Sequence, residues 1–229
     1  MPVIVFASPK GGVGKTTSAM LLAQELAHER ATVSLLDADP NEPMVRWASI
    51  AEAPHWLSVH GGITEDTIIK RIDEESALSQ IVIVDLEGSK NLKMSRALGR
   101  ADLVIIPLKP SHLDAVGAAD AIRLIRAEEE SFRREIPHAV LFTMTNGAIM
   151  TRDHTANKSE LTEAGVEVFE TSLTARTAFG SIFTYSSMLR DLPSKSVSNV
   201  GKAVVNAEDY AAEVVHRLRD ILQKKETAA

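Results

Sequence analysis

The sequence predicts an α/β fold, a mostly parallel twisted sheet with helices on both faces. Apolar runs of strand length alternate along the chain with stretches of helical spacing. The connections between them are short, as in crossovers from one parallel strand to the next. Runs such as Ile81-Val82-Ile83-Val84 are apolar without alternation, the pattern of strands buried on both faces.

Composition narrows the class. At 229 residues the chain is long enough for one α/β domain with a well-buried core, so residues 1–229 are expected to form a single domain. Aromatic residues make up only 4%, so that core must be mostly aliphatic. There is no cysteine, which excludes disulfides and thiolate metal sites. No apolar run approaches the length of a membrane span, and no basic-then-apolar leader precedes the first strand. A cytoplasmic protein is the simplest expectation. The net charge of −6 gives no global attraction to nucleic acid or anionic lipid. Binding to either needs a local basic patch, or one completed by dimerisation.

The first strand, Val3-Ile4-Val5-Phe6, runs into Ser8-Pro9-Lys10-Gly11-Gly12-Val13-Gly14-Lys15-Thr16-Thr17. A helix follows to about Glu29. Strand, glycine-rich turn and helix form the setting of a phosphate-binding loop. Glycines let backbone N–H groups of Gly11, Gly12, Val13 and Gly14 turn inward around a polyphosphate. The helix dipole points its positive end at the same anion. Lys15 supplies a charge at the β- and γ-phosphates, Thr16 a hydroxyl for Mg²⁺, and Thr17 extends the cradle. The predicted class is therefore a single-domain P-loop NTPase.

Thr32 to Leu36 reads as the second strand, ending in Asp37-Ala38-Asp39-Pro40-Asn41. Carboxylates at a strand's carboxyl end sit where open parallel sheets bind ligands; the alternative is two solvated turn aspartates. Met44 to Ala51 has helical spacing, with Trp47 either in the core or on a partner surface. Trp56 to Val59 is a short strand. Thr64 is a helix cap, with a helix over Thr67 to Ile72. Ile81 to Asp85 ends in an acid that can hold Mg²⁺ near Thr16. Leu86-Glu87-Gly88-Ser89 follows, with Gly88 as a flexible point able to sense a γ-phosphate. Glu87 is open between salt-bridge partner, water contact and surface residue.

Asn91 to Leu98 is helical, Asp102 to Pro107 a buried strand, and Ser111 caps a helix from about Leu113 to Glu130. His138 to Asn146 is a strand entering a turn. Val166 to Phe169 is the last strand, followed by Arg176-Thr177-Ala178-Phe179. Residues 190–202 form a polar loop carrying Arg190, Lys195 and Lys202, either a DNA-contacting patch or a solvated loop. The final helix, about Ala207 to Lys224, places Tyr210, Val214, Leu218, Ile221 and Leu222 on one face for docking on the core.

The loop departs from the common phosphate-loop pattern. Gly11 is too close to Gly14 to open it, and Ser8 stands where the first glycine belongs. What remains is Lys-Gly-Gly-x-Gly-Lys-Thr-Thr, led by Lys10. It resembles the deviant phosphate loop of the ParA/MinD family of dimerising ATPases, and the Asp-x-Asp-Pro element and the strand ending at Asp85 match that family too. The departure is Leu86-Glu87-Gly88, where the family usually has prolines or glycines.

The resemblance implies a slow ATPase that binds ATP and Mg²⁺ and forms an ATP-dependent homodimer. Lys10 then reaches the partner's nucleotide, Asp39 positions the attacking water, Asp37 supports the Mg²⁺ shell with Thr16 and Asp85, and Asn146 contacts adenine. Arg176 closes over the nucleotide or the partner, or lies on the surface. The expected role is plasmid or chromosome partition, as a nucleoid-associated dimer on non-specific DNA, reset by a ParB-like or adaptor protein. The other readings are a positioning or recruitment factor of the VirC type, a MinD-like membrane ATPase, and a P-loop enzyme acting on a small molecule. The short tail argues against membrane targeting.

Overall fold

The protein is described from a computed structural model covering residues 1–88, 91–147 and 152–228, with side chains at 112–116, 152–153 and 228 left aside. Ser89 lies outside the described residues. The elements are β1 (Val3–Phe6), α1 (Lys15–His28), β2 (Val33–Ala38), α2 (Pro43–Ala48), β3 (Leu57–His60) and α3 (Ile68–Leu78). They continue with β4 (Ile81–Leu86), α4 (Leu92–Leu98), β5 (Leu103–Leu108), α5 (His112–Phe132), β6 (His138–Thr145) and α6 (Arg152–Glu163). The chain closes with β7 (Glu167–Val168), β8 (Leu173–Thr174), α7 (Thr177–Thr184) and α8 (Val200–Ala228).

The eight strands form a sheet in the order β3-β2-β4-β1-β5-β6-β7, with β8 beside β6. Every pair is parallel. Because side chains alternate along a strand, each apolar run feeds both faces. Ile4, Phe6, Leu35, Ile83, Ile105 and Leu141 pack with α1, α7 and α8. Val5, Leu36, Val84, Ile106 and Val140 pack with α3, α4 and α5. The sheet is thus sandwiched, which is why these runs show no polar alternation. Trp47 is core, 2% exposed, and its indole N–H donates to the Ser187 carbonyl at 3.2 Å.

Several elements differ from the sequence expectations. α8 begins at Val200, so Lys202 stands on a helix and not in a loop. Small residues carry the helical period backwards: Ala203 and Ala207 are buried ahead of Tyr210, Val214 and Leu218. α3 starts after Thr67, whose hydroxyl accepts the Thr64 N–H and makes no capping bond, and runs on to Leu78. α6 was not anticipated. It is strongly polar and buries Asn157, so no apolar stripe announces it. The last strand shrinks to two residues, and β8 adds two more along β6.

Glu213 fastens α8 to this edge. Its carboxylate accepts the backbone N–H groups of Glu170 (2.9 Å) and Thr171 (2.7 Å), and Arg217 pairs with it at 3.0 Å. Burial raises the Glu213 pKa, but these donors outweigh it and hold the carboxyl below its ordinary 4.5. A lowered carboxyl pKa stabilises the fold fully above the unfolded value and is lost as pH falls through the folded one. Glu213→Gln is therefore expected to cost about 1.5 kcal/mol at neutral pH. Thermal melting of parent and variant should show a gap that is constant above pH 4.5 and closes below it. A gap independent of pH down to strong acid would contradict this.

Candidate active site

The turn after β1 is a cradle built from backbone. Gly12 and Gly14 have φ of +72° and +94°, conformations a side chain strains, and Gly14 caps α1. Thr143 of β6 anchors the turn from beneath, its hydroxyl donating to the Val13 carbonyl at 2.7 Å. Sequence reasoning missed Thr143, because nothing in an apolar strand marks one threonine as a buttress. Ser18 also escaped notice. Its hydroxyl donates to the Gly14 carbonyl at 2.8 Å and tightens the first turn of α1.

Lys15 is 7% exposed, and its ammonium donates to the Lys10 carbonyl at 3.1 Å. Burial lowers its pKa, and the carboxylates of Asp85, Asp39 and Glu87 oppose that shift. One buried cation therefore faces three acids gathered from the ends of β2 and β4. Register explains the gathering. Asp37 and Asp85, 48 positions apart in the chain, are partners across β2 and β4, and Phe6 is the partner of Asp85 across β1.

Asp85 is fully buried and accepts the Thr16 hydroxyl at 2.6 Å, while its second oxygen, Oδ1, has no hydrogen-bond partner. Burial pushes this carboxyl up to about 7, with the Thr16 hydrogen bond working against it and Asp37 adding to it. An orphaned buried carboxylate oxygen beside a threonine hydroxyl suits a hard divalent cation. Mg²⁺ is commonly held by one or two protein groups plus substrate phosphates. Asp37 is placed differently. Its Oδ2 accepts the backbone N–H groups of Met44 (2.8 Å) and Val45 (3.2 Å) at the start of α2.

Asp39 lies beyond β2, half-buried, with Oδ1 taken by the Asn41 backbone N–H (2.8 Å) and side chain (3.0 Å). Its Oδ2 has no hydrogen-bond partner among the described residues. One oxygen is thus fixed by a local turn.

The segment after β4 presses on the cradle. A Cβ at Gly88 would stand 2.9 Å from the Gly11 nitrogen, so glycine is required there by close approach as well as by any flexibility. Glu87 accepts the side-chain amide of Asn91, and Asn91 in turn caps α4 by accepting the Met94 N–H at 2.9 Å. Glu87 thus has a fixed partner, and its charge also acts on Lys15. The stem of Lys10 lies along α5, where a Cβ added at Gly117 would be 3.6 Å from Lys10 Cβ.

A cleft of about 420 Å³ opens beside the cradle, lined by Gly14, Thr17, Thr143, Met144, Thr177 and Phe179 among others. Met144 holds a φ of +53° at a bulge in the β6–β8 pairing and is 46% exposed. Asn146 follows β6, exposed, one residue from Gly147. Arg176 lines this cleft and a neighbouring one shared with Gly147, Lys202 and Asn206, and its Nε is buried without a partner. Arg190 does not join Lys202. Its guanidinium is held by Glu25 (2.5 Å) and Glu208 (2.8 Å). Lys195 is exposed between Asp191 and α8.

The VirC1 protein family model matches residues 1–226. The chain belongs to the VirC1 family. It is also 42% identical over 223 residues to Protein ParA of Rhizobium radiobacter, covering 97% of this chain and all of that one. The fold is that of the ParA/MinD-type P-loop ATPases. Apo McdA from Cyanthece superposes with a TM-score of 0.71 at 17% identity, over 90% of this chain and 99% of that chain. A putative plasmid partition protein from Borrelia burgdorferi B31, bound to AMPPNP, gives 0.66 at 16% identity, over 98% and 99%. No helix among the described residues is long and apolar enough to cross a membrane.

Proposed function

We propose that residues 1–229 act as one ATPase domain that binds Mg-ATP, dimerises on it, holds non-specific DNA and is reset by hydrolysis. The convergence of Lys15, Thr16, Asp85 and Asp39 on one glycine cradle carries this reading. In it the loop N–H groups and Lys15 hold the triphosphate, and Asn146 and Arg176 border the base and ribose. Bound Mg²⁺ would neutralise charge on the β- and γ-phosphates, held by Thr16 and Asp85, with Asp37 in the shell behind. Asp39 Oδ2 orients the attacking water in line. Lys10 of a second copy completes the charge around the γ-phosphate. Phosphoryl transfer asks mainly for such positioning and neutralisation.

The DNA surface in this reading rests on Lys195 and Lys202, doubled in the dimer, since Arg190 is already paired inside the fold. The cellular role is partition of a plasmid or chromosome by a cytoplasmic, nucleoid-associated dimer whose hydrolysis a ParB-like or adaptor protein stimulates. The VirC1 family match favours a second reading, recruitment of DNA-transfer machinery by the same ATP dimer. Plasmid retention without selection and transfer frequency, measured in a deletion strain, separate the two.

Asp39→Ala is expected to bind ATP and to hydrolyse it only at a low residual rate, too slow to reset the dimer during chromatography. Size-exclusion with light scattering should show that variant as a dimer with ATP, a monomer with ADP, and a dimer that carries a DNA duplex. A monomer in both nucleotides, or hydrolysis at the parental rate, would overturn the mechanism.

A further inference from the structure

Lys93 sits on α4, yet its ammonium is buried and donates to the Ala38 carbonyl at 2.9 Å, at the end of β2. The residue is 8% exposed, an unusual place for a lysine. The carbonyl it grips belongs to the peptide unit joining Ala38 to Asp39. The N–H of that same unit points at Asp37 Oδ1, 3.4 Å away. Both polar ends of one peptide plane are therefore held, one by Lys93 and the other by a buried carboxylate. Together with the φ of Asp39, the orientation of this plane sets where its Cα–Cβ bond points.

The other end of the linkage reaches the phosphate cradle. Lys93 follows the cap Asn91, which holds Glu87, and Gly88 touches the backbone of Lys10 and Gly11. Glu87 and Gly88 are thus linked through the start of α4 to the peptide before Asp39. Loops at this place in P-loop folds move with the γ-phosphate.

We infer that Lys93 is a positioning residue for hydrolysis: it locks the Ala38–Asp39 peptide and links Glu87 and Gly88, through Asn91, to the water-orienting carboxylate. The inference rests on the role proposed for Asp39. It predicts a separation between binding and chemistry, because Lys93 touches the aim of Asp39 and not the cradle that holds the phosphates. A misplacement of about 1 Å at such a group costs up to roughly 100-fold in rate.

The test compares the parent, Lys93→Met, Asp39→Ala and the double variant. Hydrolysis is read under single-turnover conditions with radiolabelled ATP, affinity with a fluorescent ATP analogue, and folding by thermal melting. Lys93→Met is expected to keep parental nucleotide affinity and to lose about 10- to 100-fold in hydrolysis. In the Asp39→Ala background it should cause no further loss. Parental hydrolysis in Lys93→Met, or the same fractional loss with Asp39 absent, would overturn the coupling. Equal losses of affinity and melting temperature would also overturn it, leaving Lys93 a structural tether. Should Lys93→Met fail to fold, Lys93→Gln keeps a polar head too short to reach the Ala38 carbonyl and carries the same expectations. Asp39→Ala alone reads the underlying assignment: parental hydrolysis there removes the role of Asp39 itself.

Discussion

Lys15→Ala is expected to raise the Kd for ATP by roughly 10²- to 10⁴-fold, the equivalent of losing about 3–5 kcal/mol from a buried charge pair. The reasoning starts from burial. The Lys15 ammonium is almost sealed from water and donates to the Lys10 carbonyl. Its pKa is lowered by that burial and held up by Asp85, Asp39 and Glu87. A triphosphate entering the cradle meets this desolvated charge in a place where water cannot screen it. Without it, the anion would face three carboxylates and only backbone dipoles. Isothermal titration or a fluorescent nucleotide reads the change, and circular dichroism shows that the variant is folded. ATP affinity left at the parental value would remove the nucleotide site from this loop.

Lys10→Ala is expected to leave the affinity of the monomer for ATP close to parental, yet to lower ATP turnover by roughly 10³-fold or more. That is the scale of an arginine finger supplied in trans. The separation follows from which atoms of Lys10 do what. Its carbonyl, which truncation at Cβ spares, receives the Lys15 ammonium. Its side-chain stem runs along α5 at Gly117. In the proposed dimer that side chain serves the other subunit. Steady-state phosphate release, with light scattering in ATP, checks both halves. Normal turnover and normal dimerisation would mean that the early lysine has no role across an interface. Loss of nucleotide binding in the monomer would mean that it serves its own subunit.

Much of this site was legible in the chain because its parts are local. Ser8 to Thr17 is contiguous, and β2 and β4 each carry their acid one residue before the strand's end. Pro40 reads as a strand stop able to open the next helix, but α2 starts at Pro43, and Asp39 Oδ1 accepts from Asn41 in an Asx-type turn between them. The strands of the first half were found to within one or two residues, since fully apolar runs leave few alternatives. Weaker signals failed where the helix face was built of alanine, as at the start of α8, or was polar, as in α6. Arg190 looked like part of a cationic loop because its two partners, Glu25 and Glu208, are 165 and 18 positions away.

By itself the sequence determined the α/β class, the phosphate loop with its two lysines, and the acids available to a metal or a water. These are properties of short segments, set by backbone preference and by residue type at fixed spacing. Only the tertiary structure decided which acids converge. The parallel register of β2 and β4 sets Asp37 beside Asp85, and the half-buried Thr16 completes that group through its hydroxyl. It also decided that Gly88 must be glycine, because the chain passes within van der Waals contact of Gly11, and that Lys93 holds the peptide before Asp39. These contacts span long sequence separations, and what specifies them is the packing of helices onto the two faces of the sheet, which no local pattern encodes.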